Sequence, residues 1–285
     1  MTVRVICDSS QNVPETYLQQ LAIVECQASV IFGDEVYLNK VEISETEFYQ
    51  RLADLPKHAA LPTTTQPSPG QFIDALRQVK AEGATSAILT AVSAKLSGTY
   101  NSAIQAAERE TEIPVTVWDT ASASMGAGWP TIRAAELARA GMAHEEIVAA
   151  LPAIRDSLTT VFTVDTLKYL VAGGRLSPVQ GMMGTLLNVK PMLIIEDGVL
   201  KPIGRERGRK RAKAALIETA LARVGDRPVR VVIAHANVRE EAQALEPDVR
   251  AAFNVQELLI VELGAILAAL AGPGLMALGI LQETP

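Results

Sequence analysis

Aromatic residues make up only 4% of this 285-residue chain, and it has two cysteines and three histidines. Proteins that bind single-stranded nucleic acid stack bases on aromatic rings, so a chain this poor in rings disfavours that chemistry. Cys7 and Cys26 are too few for a disulfide framework or a metal cluster. Each lies in an apolar run, so both are expected to be buried free thiols in a reducing compartment. The histidines, His58, His144 and His235, stand far apart with no ligand spacing around them. A positive balance is missing too: 26 Lys and Arg against 32 Asp and Glu leave a formal charge of −6, which opposes general binding to polyanions. The opening "MTVRVICDSS" runs straight into a strand pattern without a charged leader and a long apolar segment, so no secretion signal is expected and the reading is cytoplasmic.

Long uncharged runs are scarce as well, and the clear example is "LGAILAALAGPGLMALGIL". Its length alone admits a membrane span. Gly272-Pro273-Gly274 interrupts it, because proline removes a donor and the glycines weaken a helix. The expectation is therefore a buried strand, a turn and a buried helix, with no integral membrane segment. What the chain has in quantity is aliphatic: 48% of residues are hydrophobic and 20% charged, so a sizeable core is filled mainly by Ala, Val, Leu and Ile.

Apolar β-like runs alternate with helical segments, the pattern of an α/β protein with a mostly parallel sheet. "VRVIC", "SAILTAV" and "VTVWD" are the clearest strands of the first half, followed by the polar turns "DSSQNVP", "SAKLSGT" and "TASASMGAG". Helices are predicted at "PETYLQQLA", at "SETEFYQRLADL" with a Ser44-to-Glu47 capping box, at "SPGQFIDALRQVKAEG" and at "AHEEIVAALPAIRDSL". Past about residue 155 the pattern changes. "KPMLIIEDGVLKPIGRERG" reads as two strands joined by a turn at Asp197-Gly198, and "DRPVRVVIAHA" and "QELLIVELGA" are further strands around a helix at "VREEAQALEPDVRAAF". Two α/β domains are expected, residues 1–155 with a mostly parallel sheet and residues 156–285 with a mixed one.

In open α/β sheets the carboxyl ends of the strands face the ligand crevice. The turn "SAKLSGTYNSA" places Ser97 at such an end, ahead of a helix whose free N–H groups and dipole suit an anion. A P-loop is absent, since Lys95 precedes the glycine. Read alone, Ser97 is an N-cap with Gly98 easing the turn. A Ser97 hydrolase needs a base, and no nucleophile-elbow pattern surrounds the serine. Asp8 and Asp119 end strands and read as turn caps rather than catalysts. The hydroxyl stretch "LPTTTQPSPG" reads as an extended loop before a cap.

Together, "DSSQNVP", "TTTQPSPGQF", "LSGTYNSA", "WDTASASMGAG", "TLKYLVAGGRLS", "NVKPMLIIEDGVL", "RGRKRAKA" and "AGPG", in this order along nearly the whole chain, resemble the DegV family, which includes the fatty-acid-binding subunits of bacterial fatty acid kinase. The resemblance implies two α/β domains enclosing a long-chain fatty acid, with a lipid pocket between the domains or at their junction, no catalytic residues and no cofactor or metal. It implies a carboxylate held by Thr64 and Ser97, with Thr65 in place of the usual serine and Gly98 in the same turn. It places Arg175 near the pocket mouth. Members commonly carry His two residues before the Gly-Pro-Gly, where this chain has Leu270. In the basic run, Arg205, Arg207 and Arg209 then become candidates for docking the fatty acid kinase catalytic subunit that makes the acyl phosphate; without the resemblance they read as a solvated helix start. The implied role is lipid transport or fatty acid metabolism. A Ser-dependent hydrolase and a regulatory protein using the basic patch are the alternatives.

Overall fold

The computed structural model describes residues 2–56, 58–176 and 188–283. In chain order the elements are β1 (Val3–Asp8), α1 (Glu15–Gln20), β2 (Val24–Cys26), β3 (Ser29–Phe32), β4 (Glu35–Leu38), α2 (Glu45–Asp54), β5 (Thr63–Thr65), α3 (Pro69–Ala81), β6 (Ser86–Ala91), α4 (Thr99–Arg109), β7 (Val115–Asp119), α5 (Met125–Arg139) and α6 (His144–Asp156). There follow β8 (Leu158–Thr163), α7 (Lys168–Ala172), β9 (Val189–Glu196), β10 (Val199–Arg207), α8 (Arg209–Val224), β11 (Pro228–His235), α9 (Arg239–Ala252), β12 (Asn254–Glu262), α10 (Ala265–Ala271) and β13 (Met276–Gln282).

Two compact units result. Met1–Ser29 with Thr65–Asp156 forms the first, and Val30–Thr64 with Ser157–Pro285 forms the second. The sequence pattern puts a single break near 155, whereas the segment Val30–Thr64 joins the later part of the chain. Phe48 of α2 packs on Phe32 and Tyr49 within the segment, and α2 in turn meets α10, the Tyr49 hydroxyl donating to the carbonyl of Leu263 over 3.3 Å. A segment this short has too little core to stand alone.

The first unit is built on a parallel sheet in the order β2-β1-β6-β7. Every residue of β6 is buried, as expected of a central parallel strand covered on both faces. Phe72, Leu76 and Val79 of α3 pack with Ile6, Leu89, Ala103 and Ala106 in one cluster. The capping box Ser44–Glu47 opens α2 as read from sequence, and a second, Ser68–Gln71, opens α3 with Pro69 in its first turn.

The second unit carries a mixed sheet in the order β10-β9-β8-β13-β11-β12. Only β11 and β12 pair in parallel; the other neighbours are antiparallel. Asp197 and Gly198 both have positive φ, 54° and 77°, the signature of the two-residue hairpin turn that joins β9 to β10. Val161, Ile194, Leu216, Val231, Ile233, Leu245, Leu278 and Ile280 share its core.

Two local expectations change. Thr63–Thr65 is a short strand, β5, in a small sheet ordered β4-β3-β5, rather than a loop. The uncharged C-terminal run is a helix, a turn and then a strand, the reverse of the expected order. Gly264 caps the start of α10, and β13 lies between β8 and β11 with its first six residues buried. A central strand needs an unbroken apolar run, and "MALGIL" supplies it. Among the described residues no helix is long and apolar enough to cross a membrane.

Candidate functional site

In the first unit the chain leaves β1 towards β2 on one side and returns to β6 on the other, so β1 and β6 flank a topological switch point. Ligands of open α/β sheets bind outside the carboxyl ends of the strands at such a point. Asp8 ties the two ends together. One carboxylate oxygen accepts from the Val92 N–H (3.0 Å) and the Gln11 amide (3.3 Å), and the other accepts from the Ser10 N–H (3.1 Å) and the Ser10 hydroxyl. Complete burial pushes the Asp8 carboxyl above its usual range, against the opposing pull of these hydrogen bonds. The residue is a structural cap, in keeping with its reading as a turn former.

The turn after β6 is pinned from β7. Asp119 accepts from the N–H of Ala94 (3.2 Å) and of Ala121 (2.8 Å), and the Ser93 N–H donates to the Ser122 carbonyl (2.8 Å). The N–H groups of Leu96 and Ser97 close back onto the Ser93 carbonyl. This delivers Ser97 to the head of α4. The N-cap itself is Gly98, with no side-chain cap bond. The half-buried Ser97 hydroxyl shares a 2.9 Å hydrogen bond with the Thr99 hydroxyl and accepts from the Thr99 N–H at 3.3 Å.

The same turn meets the hydroxyl segment. A Cβ on Gly98 would lie 2.9 Å from Nε2 and 3.2 Å from Cδ of Gln66, so glycine is needed for the carboxamide to lie where it does. Gln66 stood inside the quoted motif, but only the turn's fold brings its carboxamide against Gly98. Thr64 ends the second unit's segment and Thr65 begins the first unit's, so the division passes between them.

His144 shares a 2.7 Å hydrogen bond with the Thr116 hydroxyl. Ser97 and His144 are thus each hydrogen-bonded to a threonine.

In the second unit, Arg175 and Leu270 come together around one glycine. Arg175 Nη1 donates to the Gly173 carbonyl, and Leu270 Cδ2 lies 2.7 Å from where a Cβ on Gly173 would stand. The basic run separates into two parts. Arg205 and Arg207 are exposed on one face of the edge strand β10. Arg209 is committed inward: Nη1 donates to Asp165 (2.6 Å) and to the Gly274 carbonyl (2.9 Å), and Nε donates to Glu241 (2.9 Å). Lys190 also pairs with Asp165, and Lys213 with Glu241.

Comparisons with known proteins agree with one another. The family profile described as "Uncharacterised protein, DegV family" matches residues 2–283. A fatty acid-binding protein of Thermotoga maritima is 32% identical, with 98% of each chain covered. The solved structure of a DegV family protein from Thermus thermophilus, described for its fatty acid binding, superposes with a TM-score of 0.91 at 34% identity over 99% of this chain and 100% of that one. A stearic acid-binding protein from Eubacterium ventriosum superposes with a TM-score of 0.90 at 26% identity over 98% of each chain.

Proposed function

The chain belongs to the DegV family, and on that premise we propose that it binds a long-chain fatty acid and presents the carboxylate to a fatty acid kinase subunit, without turnover of its own. The observation that carries this reading is the Ser97 turn: a hydroxyl held at the head of α4, beside the switch point, in a chain whose whole length superposes on fatty-acid-binding relatives. A carboxylate is an anion on a greasy tail. Hydroxyl and helix-start donors hold it without burying a fixed positive charge.

Magnitudes assign the work. Burying about fourteen methylenes at about 0.8 kcal/mol each yields roughly 11 kcal/mol before ordering costs, against roughly 1.5–3 kcal/mol for a hydrogen bond to a charged group. The tail therefore sets affinity and the polar groups set orientation. Thr64, Thr65 and Gly98 complete the headgroup set in this reading, Arg175 and Leu270 stand at the pocket mouth, and Arg205 and Arg207 form the kinase-facing surface. No cofactor or metal enters. A cytoplasmic lipid carrier accords with two buried free cysteines.

The test is direct. Protein purified from a bacterial host is denatured and the released lipid identified by mass spectrometry; a fatty acid of roughly sixteen to eighteen carbons is expected from the family membership and the aliphatic core. Ligand-free protein that also fails to take up palmitate or oleate overturns the reading.

A further inference from the structure

Among the described residues, the six-stranded sheet of the second unit ends in two different edges. One is β10, which carries Lys201, Pro202, Arg205 and Arg207, with its register against β9 broken between Pro202 and Gly204. Cations, proline and a bulge are the devices that keep a strand edge from pairing with another chain. The other edge is β12, nine residues long and without Lys, Arg or Pro. Its Leu258, Leu259, Ile260 and Val261 are all half-buried. Both of its charges are engaged within the chain: Glu257 pairs with Arg230 (3.7 Å), and Glu262 accepts from the Asn237 N–H.

The main chain of β12 is unpaired on its outer side. The Leu263 N–H donates to the His235 carbonyl (2.8 Å), and in a parallel ladder the groups aimed at the neighbouring strand fall on alternate residues. Leu259 and Val261 therefore bond towards β11, while Leu258 and Ile260 aim their N–H and C=O groups outward. Among the described residues those outward groups meet no partner.

We propose that β12 is a dimerisation edge, pairing antiparallel with β12 of a second copy of this chain across a two-fold axis. A two-fold brings the same edge to itself and closes the assembly, whereas joining β12 to β10 of another copy meets the proline and the register break of that strand. Registers that match outward residues to outward residues, centred on Leu258, Leu259 or Ile260, set no glutamate of one copy opposite a glutamate of the other. The contact is short, so the dimer is weak and depends on concentration. It requires nothing of the fatty-acid site.

In each of these registers the two copies of Leu259 lie opposite or diagonal to one another, within reach of long side chains. Sedimentation velocity of the full chain over a concentration series is expected to show a monomer–dimer equilibrium. Leu259→Lys and Leu259→Glu each set like charges across the axis and are expected to raise the dimer dissociation constant by about tenfold or more. An equimolar mixture of the two variants is expected to recover the dimer. Hydrogen exchange of the unaltered protein reads the same edge without a substitution: the outward amides of Leu258 and Ile260 are expected to gain about tenfold protection as dimer forms. Exchange at these two amides that does not change with concentration overturns the proposal. So does a dimer that folded Leu259→Lys leaves at full strength, which puts the contact elsewhere. A chain that stays monomeric at about 1 mM overturns it as well, and leaves the edge to a strand of another protein.

Discussion

Arg209 Nη1 donates to the carbonyl oxygen of Gly274 over 2.9 Å, tying the first residue of α8 to the turn between α10 and β13. Asp165 closes the arrangement, accepting from Arg209 and from Lys190. The Gly274 backbone has φ +87°, and a Cβ there would lie 2.6 Å from the Asp165 carboxyl group. Backbone strain and overpacking act together in Gly274→Ala, which is expected to cost about 2–4 kcal/mol. Urea unfolding followed by circular dichroism measures it. A change below about 0.5 kcal/mol would mean that the turn is free to relax.

Arg209 and Arg207 differ in kind although they stand two residues apart. Arg209→Ala leaves three acceptors short of a donor and is expected to cost about 1–3 kcal/mol. Arg207→Ala alters an exposed strand residue and is expected to stay within about 0.5 kcal/mol. Equal losses of stability in the two variants would contradict the inward assignment of Arg209.

For the same reason the kinase-docking test belongs to Arg205 and Arg207. Reversing both to Glu on the edge strand is expected to leave fatty-acid affinity within about threefold. Acyl phosphate formation with the kinase subunit and ATP, trapped as hydroxamate, is expected to fall sharply at low salt, with a smaller deficit at moderate salt as the charges are screened. An unchanged initial rate at both salt concentrations would leave these arginines as guards of an exposed strand edge, a common use of edge cations.

Ser97→Ala removes the hydroxyl and also its contact with Thr99. Fatty-acid affinity is expected to drop by roughly 1.5–3 kcal/mol, about ten- to a hundredfold. The accompanying loss of stability is expected to be nearer 1 kcal/mol, the size of a helix-start contact. Affinity that falls only as far as the unfolding midpoint predicts would reduce Ser97 to a structural role.

His235 closes β11 fully buried, and burial, with a smaller push from the Arg239 charge, lowers its pKa from 6.5 to about 4. Between those values the unfolded chain binds the extra proton and the folded one does not, so this residue's contribution falls as pH drops from about 6.5 to about 4, by a total on the order of 3 kcal/mol. Burial raises the carboxyls of Asp8 and Glu262, which act in the opposite direction. The difference between wild type and His235→Leu isolates the histidine. Their unfolding free energies are expected to diverge across that window, the wild type losing more on acidification. Parallel pH profiles would place the imidazole in contact with water.

Much of the architecture was written in local patterns. The Ser44–Glu47 box, the positive-φ pair Asp197-Gly198 and the alternation of apolar runs with helices depend on residues close in the chain, whose hydrogen bonds and conformational limits act whatever surrounds them. The family motifs likewise singled out Ser97 as a candidate, and the turn that presents it is made from its own neighbours. Tertiary structure decided the rest. Residues 30–64 joined the second unit because α2 packs against α10 and the Tyr49 hydroxyl reaches the Leu263 carbonyl, both in the later chain. The run after Leu263 became helix then strand because a vacant central place between β8 and β11 selects the segment able to be buried on both faces. Arg209 parted from Arg207 because Asp165, Glu241 and Gly274 come from distant points of the sequence. The same holds for Gln66, which sits 32 positions before Gly98 in the chain: its carboxamide meets that turn only in the folded protein.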